Sequence, residues 1–287
     1  MVSFTNLVVS GLMAASALAA PHHAHSHLHD KRSSSKRGAA YNDVSLVKLI
    51  TGSSWAYNWN FAAGGSMPSG VEYVPMLWGT KMFDGWDNAV QQALSSGSKH
   101  ILGFNEPDMS SQANMSPSEA VQYYKQYITP YADKAELGSP AVTNSGSSGQ
   151  GLSWLSEFLD GCGGSCGQSF IAIHWYNDAS QVEDFKNHVN SAISLAAQHG
   201  INKVWITEFG ATGDAASQVS FLEQVLPWLD SQEAVERYAY FMVAQGTLLS
   251  GDALSQIGEA ACNKRVEFFF SVIVYYVYTY YIYLTEE

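Results

Sequence analysis

The stretch HILGFNEPD, residues 100–108, decides how this chain is interpreted. It begins as a short apolar strand and ends on Asn105, Glu106 and Pro107. A carboxylate at the end of an apolar run is costly to bury unless it is paired with another polar group or has a chemical role. One interpretation is a loop start, in which Pro107 breaks the strand and Glu106 faces water. The other places Glu106 as an acid at the mouth of a barrel.

Strand-like and helix-like segments alternate on both sides of this stretch. Seven apolar runs predict strands, at residues 49–59, 71–79, 99–106, 135–142, 169–176, 201–210 and 236–243. Capping-box patterns at Ser116 and Ser180 predict two of the helix starts between them. The alternation predicts an α/β fold, a (β/α)8 TIM barrel with an irregular first βα unit. An eighth strand is expected within residues 58–71, and an open doubly wound sheet is the competing fold.

Composition limits the class of partner. The chain has 287 residues, of which 46% are hydrophobic and 14% charged, and its formal net charge is −12. These values exclude a disordered chain and argue against nucleic acid as a partner, because polyanions attract basic proteins. Aromatic residues make up 13% of the chain. They suit core packing and also carbohydrate surfaces, which stack on flat rings.

The N-terminal residues have the pattern of a secreted protein. Residues 1–20 contain a short apolar run that ends in an Ala-Leu-Ala cleavage pattern, as signal peptides do. Residues 21–39 are rich in His and contain Lys31-Arg32 and Lys36-Arg37, which indicates a pro-segment or linker with dibasic processing sites. We therefore expect a secreted, extracellular protein whose folded barrel covers residues 40–262.

The C-terminal tail, residues 263–287, is atypical for such a barrel. Residues 266–284 form a nearly continuous apolar and aromatic run. By its length, this run is a candidate for a membrane-spanning segment. Its many Tyr residues are typical of membrane interfaces rather than of the bilayer core. A lipid anchor would need a longer polar spacer before the apolar run. We favour a third explanation, an error in the gene model that leaves the C-terminus of the barrel aberrant.

Cys162 and Cys166 lie in the short segment CGGSC, which predicts a small-loop disulfide in an oxidising compartment. A zinc site is disfavoured because no second cysteine pair completes it. The third cysteine, Cys262, receives no role from the sequence. We expect no metal and no cofactor.

A second carboxylate follows an apolar strand in VWITEFG, residues 204–210. Because the C-terminal ends of barrel strands converge on one mouth, we expect its Glu208 to meet Glu106. Two carboxylates at that mouth are the groups that glycoside hydrolysis requires. One must be protonated to donate to the leaving oxygen, and the other must be ionised to attack the anomeric carbon.

Four segments in order, YVPMLWG, ILGFNEPD, FIAIHWYN and WITEFG, resemble glycoside hydrolase family 128 of clan A. The resemblance covers roughly residues 45–260. It implies a secreted endo-β-1,3-glucanase that cleaves the β-glucan of cell walls by double displacement with retention. By the same resemblance, Glu106 matches the acid/base, Glu208 the nucleophile, and Asn105 the group that holds the sugar 2-hydroxyl.

Further substrate-binding candidates lie at other strand ends. The resemblance matches His174 and Tyr176 to active-site polar groups near the nucleophile. Four tryptophans near strand ends suit either stacking on glucose rings or packing of the barrel mouth: Trp55, Trp59, Trp78 and Trp175. Asp108 either orients the segment of the acid/base or caps the turn after Pro107.

Other functions remain open from the sequence. One is a non-catalytic glucan-binding protein of the cell wall, although both glutamates are present. A second is a wall protein anchored in a membrane by its tail. A third is a clan A glycosidase that acts on another β-glycan, such as a mannanase or cellulase, because Asn-Glu-Pro is widespread in that clan. The expected partner is a polysaccharide, and the protein is expected to be a monomer.

Overall fold

The structure is a computed structural model, and it describes residues 36–262. The expected signal peptide, the Lys31-Arg32 pair and the tail at 263–287 lie outside those residues. In the described part, eight parallel strands form two sheets. The first sheet consists of β1 (Gly38–Ala40), β2 (Trp55–Tyr57) and β3 (Glu72–Tyr73). The second consists of β4 (His100–Ile101), β5 (Glu136–Val142), β6 (Gln168–Asp178), β7 (Val204–Thr212) and β8 (Val235–Tyr240).

Isolated parallel bridges connect the two sheets. Met76, just after β3, pairs with Leu102, and Arg37, just before β1, pairs with Tyr238 in β8. The strands therefore follow one another in chain order around a curled parallel sheet. This confirms the predicted α/β class with parallel strands.

Helices follow the later strands. The α-helices are α1 (Trp86–Ser95), α2 (Pro117–Tyr127), α3 (Gly151–Cys162), α4 (Val182–Gln198), α5 (Ala215–Ser231) and α6 (Gln256–Cys262). Short 3-10 helices lie at Val44–Leu49, Thr80–Met82 and Thr129–Tyr131. A small antiparallel pair, β9 (Leu249–Ser250) and β10 (Ala253–Leu254), precedes α6. No helix within residues 36–262 is both long and apolar enough to cross a membrane.

The two predicted capping boxes have different outcomes. The one at Ser116 is confirmed, since its hydroxyl accepts from the Glu119 amide and the Glu119 carboxylate accepts from the Ser116 amide. The one at Ser180 is wrong, because α4 begins after Gln181 with no side-chain cap. The Ser180 amide instead donates to the Asp178 carboxylate at 2.9 Å, which forms a turn before the helix.

The position predicted for the eighth strand is wrong. Residues 58–71 form a loop without a strand or helix, and the additional strand is β1, which starts before the expected boundary at residue 40. The connection from β1 to β2 contains only the 3-10 helix Val44–Leu49. Irregular connections at the start of the sheet agree with the predicted irregular first unit.

Lys36 and Arg37 belong to the folded domain and not to a linker. The Lys36 ammonium, on a residue only 8% exposed, donates to the carbonyls of Leu229, Asp230 and Gln232 at the end of α5. Arg37 donates to the Cys262 carbonyl at 2.8 Å and pairs with the Asp230 carboxylate at 3.7 Å. Cations are favourable at the carbonyl end of a helix. The predicted boundary at residue 40 is therefore too late.

Apolar side chains fill two layers. The smaller cluster is formed by residues in the strands of both sheets or just after them: Ala40, Trp55, Tyr57, Val74, Met76, Leu102, Phe170, Trp205 and Ala239. The larger cluster joins the sheet to the helices. The predicted Cys162–Cys166 disulfide is present at the end of α3. Cys262 is a free thiol, and burial raises its pKa to about 11.

An ion-pair network lies at the strand starts, at the opposite end of the sheet from Glu106 and Glu208. The Glu72 carboxylate contacts His100 Nδ1 at 2.8 Å and Arg237 Nη2 at 2.7 Å. Lys203 contacts Glu136 at 2.6 Å. Burial alone would raise the pKa of Glu72, but the hydrogen bond with His100 and the Arg237 charge outweigh it and lower the pKa to about 2.

This network predicts acid-dependent stability. The folded-state pKa of Glu72 lies below its unfolded value of 4.5, so its contribution is present above pH 4.5 and is lost as the pH falls towards 2. We expect Glu72→Gln to lower the free energy of unfolding at pH 7 by on the order of 2 kcal/mol, allowing for solvent screening. Urea unfolding of both proteins between pH 7 and pH 2.5 measures this.

The control for that prediction is Glu183→Gln, which removes an exposed i,i+3 pair with Lys186. We expect a change of under about 1 kcal/mol from it. The difference between wild type and Glu72→Gln should shrink as the pH falls. Parallel loss of stability by the two proteins over the whole pH range would contradict the assigned role of Glu72.

Candidate active site

The HILGFNEPD stretch continues the parallel ladder past the end of β4. The Asn105 amide donates to the Trp78 carbonyl at 2.9 Å, and the Glu106 amide donates to the Ala141 carbonyl at 2.7 Å. Neighbouring chain segments on both sides thus fix this stretch. Glu106 has a φ of +42°, a strained conformation for a residue other than Gly and one that is concentrated at functional sites.

Glu106 and Glu208 come together at one end of the sheet. Glu208 lies in β7 and pairs with His174 of β6. One carboxylate oxygen of each glutamate and an imidazole nitrogen of His174 all lie within 4.8 Å of one another. The structure therefore places the two glutamates as the convergence of barrel strands predicted.

Both carboxylate oxygens of Glu208 accept hydrogen bonds. Trp59 Nε1 donates to Oε1 at 2.6 Å, and the Tyr176 hydroxyl donates to Oε2 at 2.5 Å. The Tyr57 hydroxyl also lies 3.4 Å from Oε1. Burial, followed by the Glu208 charge, raises the pKa of both tyrosines, so each phenol keeps its proton and remains a donor. These donors fix the orientation of the Glu208 carboxylate.

His174 lies between the two glutamates and is 0% exposed. Its Nδ1 contacts Glu106 Oε1 at 2.8 Å, and its Nε2 contacts Thr207 Oγ1 at 3.0 Å and Glu208 Oε1 at 3.4 Å. Burial alone would lower the pKa of His174, but the charge of Glu208 and the hydrogen bond and charge of Glu106 outweigh it and raise the pKa. The contacts with the two glutamates thereby favour the protonated form of His174.

Asn105 presents a buried acceptor that the described residues leave without a partner. Its Nδ2 lies 3.4 Å from Gln112 Oε1, and its Oδ1 has no hydrogen bond among them. A buried acceptor without a hydrogen bond costs about 1–3 kcal/mol of stability, unless a bound ligand donates a hydrogen bond to it. A hydroxyl donor bound beside Glu106 would supply the missing bond.

Asp108 anchors the loop after β5 rather than the turn after Pro107. Its carboxylate accepts from the Thr143 hydroxyl at 2.5 Å and from the Gly151 amide at 2.9 Å. It also lies 3.3 Å from the Thr143 amide. The segment that carries Glu106 is therefore joined to the loop between β5 and α3.

The four candidate tryptophans fall into two groups. Trp59 contacts Glu208, and Trp78 is partly buried beside Asn105, with the Lys81 ammonium 3.6 Å from the centre of its ring. The structure does not bring the other two to the site. Trp55 is 0% exposed and packs on Trp205, 5.0 Å away between ring centres.

Trp175, the fourth candidate, is also 0% exposed. It points to the helix layer, where it stacks on Phe221 of α5 and donates from Nε1 to Asp184 of α4. Successive strand residues face opposite sides of a sheet, so Trp175 faces away from its neighbours His174 and Tyr176. The predicted sugar contacts of Trp55 and Trp175 are therefore wrong.

Sequence reasoning missed three residues of the site, Tyr57, Thr207 and Phe241. The alternation Trp55, Tyr57, Trp59 was a usable signal for Tyr57, because alternate strand residues share a face. Phe241 follows β8, and its ring makes edge contacts with Trp59 at 5.6 Å and Tyr176 at 5.5 Å. The sequence offers no pattern that would identify Phe241 or Thr207.

Within residues 36–262, two clusters contain atoms of the kind that bind metal ions. One is the group of Glu106, His174 and Glu208, and the other comprises His100, Glu136 and Glu236 at the strand starts. In the second cluster the Lys203 ammonium contacts the carboxylates of Glu136 and Glu236, at 2.6 and 2.8 Å. A positive charge therefore already lies between the two carboxylates that would bind a metal ion.

Comparisons with known proteins agree with this geometry. The family model described as glycosyl hydrolase catalytic core matches residues 38–261. A solved structure from Blastomyces gilchristii, described as a family 128 subgroup III curdlan-specific exo-β-1,3-glucanase in complex with glucose, is 47% identical, with a TM-score of 0.78. That alignment covers 81% of this chain and 100% of the other. The chain is a glycoside hydrolase of family 128.

Two other relatives of this hydrolase are more distant. A family 128 subgroup I endo-β-1,3-glucanase from Amycolatopsis mediterranei, solved with laminaritriose, is 28% identical, with a TM-score of 0.67 over 79% of this chain and 98% of the other. The alkali-sensitive linkage protein 1 of Schizosaccharomyces pombe is 32% identical over 79% of this chain. The hydrolase spans 44% of the length of that curated relative.

Proposed function

We propose that this hydrolase cleaves β-1,3-glucan by double displacement with retention, with Glu208 as nucleophile and Glu106 as acid/base. The observation that carries the proposal is the approach of the two carboxylates to within 4.8 Å, oxygen to oxygen, beside His174. Retaining glycosidases place their carboxyl groups about 5–5.5 Å apart, whereas inverting enzymes leave about 6.5–9.5 Å for a water molecule.

The reaction then takes two balanced steps. In the first, Glu208 attacks the anomeric carbon, the glycosidic bond breaks, and the leaving oxygen takes a proton from Glu106. In the second, Glu106 accepts a proton from water, the water oxygen attacks the same carbon, and the ester to Glu208 breaks. Two inversions give net retention.

The surrounding residues support these steps. Trp59 and Tyr176 hold the Glu208 carboxylate in one orientation for attack, which lowers the entropic cost of the reaction. The 2.8 Å contact between His174 Nδ1 and Glu106 keeps a proton beside the acid/base. The unpaired Asn105 Oδ1 accepts the sugar 2-hydroxyl, a contact that strengthens in the transition state.

The substrate is proposed from the relatives. Two solved relatives are described as β-1,3-glucanases, one of them in complex with laminaritriose. The family resemblance implies endo action, whereas the 47%-identical relative is described as an exo enzyme, which makes exo action a second candidate. Trp59 and Trp78 are the aromatic residues that we assign to sugar binding.

The test is product analysis with soluble laminarin and insoluble curdlan, and with mannan and cellulose as controls. We expect reducing ends from the two β-1,3-glucans alone, and NMR should show the β-anomer forming first. A mixture of long products indicates endo action, and a single short product indicates exo action. Cleavage of mannan or cellulose, or initial formation of the α-anomer, would overturn the proposal.

Three further expectations from the sequence belong to this proposal. We propose that the hydrolase is secreted and acts outside the cell or in its wall, which N-terminal sequencing of protein from culture medium tests. We propose that it is a monomer, which light scattering tests. We also propose a complete eight-stranded barrel, supported by the bridges Met76–Leu102 and Arg37–Tyr238.

A further inference from the structure

The ladder between β5 and β6 ends before β6 does. The last pair joins Val142 to Ile173, whereas β6 continues to Asp178 and remains paired with β7 throughout. The backbone of β6 around Tyr176 therefore has a neighbouring strand on one side and only a loop on the other. Tyr176 is the residue whose phenol contacts Glu208.

The side chain of Asn144 takes the place of the missing strand. Its Oδ1 accepts from the Tyr176 amide at 3.1 Å, and its Nδ2 donates to the Tyr176 carbonyl at 3.2 Å. A side-chain amide has one acceptor and one donor group, the same pair that a strand residue offers. Asn144 thus holds the Tyr176 backbone from the side that β5 leaves open.

The loop of Asn144 is itself tied to the other glutamate. Asp108, two residues after Glu106, accepts from the Thr143 hydroxyl at 2.5 Å. A continuous series of contacts therefore runs from the segment of Glu106 through Thr143 and Asn144 to Tyr176. It ends at the Glu208 carboxylate, 2.5 Å from the Tyr176 hydroxyl.

The Tyr176 ring has little freedom to adjust. A Cβ at Gly210 would lie 2.9 Å from its Cε1 atom, and the Phe241 ring makes an edge contact with it at 5.5 Å. A shift of the Tyr176 backbone must therefore carry the phenol with it. The position of the hydroxyl depends on what holds the backbone.

We propose that Asn144 is a positioning residue, which fixes the Tyr176 backbone so that the Tyr176 phenol orients the Glu208 carboxylate. This rests on the proposed function in that Glu208 is the nucleophile. Displacement of a catalytic group by about 1 Å can cost 10²-fold in rate. Asn144 acts through Tyr176 and needs no contact with the substrate.

The test is a double-mutant cycle of Asn144→Ala and Tyr176→Phe, measured as kcat and KM on laminarin. We expect Asn144→Ala to lower kcat roughly 10- to 100-fold with little change in KM. In the Tyr176→Phe background the same substitution should change kcat less than about threefold, because the group it positions is gone. The control Asn190→Ala, on the exposed face of α4, should leave kcat unchanged.

A crystal structure of Asn144→Ala gives a readout that does not depend on activity. We expect the distance from the Tyr176 hydroxyl to Glu208 Oε2 to exceed the hydrogen-bond range of about 3.0 Å. An unchanged distance, or equal losses of kcat in both backgrounds, would overturn the inference. If the unaltered hydrolase leaves β-1,3-glucan intact, the proposed function fails, and the distance still decides the role of Asn144.

Discussion

Glu208→Gln will abolish glucan hydrolysis, with kcat reduced on the order of 10⁴- to 10⁶-fold. Glutamine has the shape of glutamate, and its oxygen can accept from Trp59 while its NH2 group donates to the Tyr176 hydroxyl, but its amide does not attack the anomeric carbon. Binding contacts made by Asn105 and Trp59 remain, so the affinity for laminarin-derived oligosaccharides should change little. Reducing-sugar release and calorimetric binding measure the two quantities.

Covalent trapping identifies the nucleophile directly. A 2-deoxy-2-fluoro laminaribioside with a fluoride leaving group should accumulate as an ester on wild type, and peptide mass spectrometry should locate it at Glu208. Glu183→Gln, an exposed change on α4, serves as the control with full activity. An adduct on Glu106, or a Glu208→Gln variant that keeps more than about a tenth of the activity, would show that the roles are wrongly assigned.

Glu106→Gln should give the second-largest effect, a loss on the order of 10²- to 10⁴-fold on laminarin. The loss arises because the leaving sugar oxygen departs without a proton. The leaving group of a dinitrophenyl laminaribioside departs without a proton. With this substrate, formation of the ester on Glu208 should therefore remain fast, and the ester should accumulate. Burst kinetics with this substrate measure the difference.

Azide provides the matched control for the acid/base assignment. It is an anion that attacks the ester without a general base, so it should accelerate turnover of Glu106→Gln and give a β-glycosyl azide. Wild type should show no acceleration. Equal losses on laminarin and on the dinitrophenyl substrate would mean that Glu106 does not donate the proton.

The sequence predicted those parts of the fold that repeat a simple pattern. The long strands β5, β6 and β7 and the helix after Ser116 were identified because their apolar periodicity and caps are local signals. Strand β1, of three residues, has no such signal. It exists because Arg37 and the β2 backbone hold it in place, and such tertiary contacts lie outside any local window.

The site could be predicted where a carboxylate follows an apolar run. Glu106 follows such a run, and so does Glu208, where a carboxylate would otherwise be costly to bury. The predicted strand end at Glu208 is wrong, because β7 continues to Thr212. The orientation of each aromatic residue was harder to predict, because Trp175 and Tyr176 are neighbours that face opposite sides of β6. Register, rather than proximity along the chain, decides which ring reaches the site.

The docking of Lys36 and Arg37 bears on how the polypeptide matures. A protease that cuts after paired basic residues must hold both side chains in its own specificity pockets. In the folded hydrolase, the Lys36 side chain is bound to carbonyls at the end of α5, 193 residues further along the chain at Leu229. The Arg37 side chain is bound to the carbonyl of Cys262, 225 residues further along. Folding therefore withdraws this dibasic pair from proteolysis. A recombinant enzyme should begin before Lys36 if it is to keep its N-terminal strand anchored.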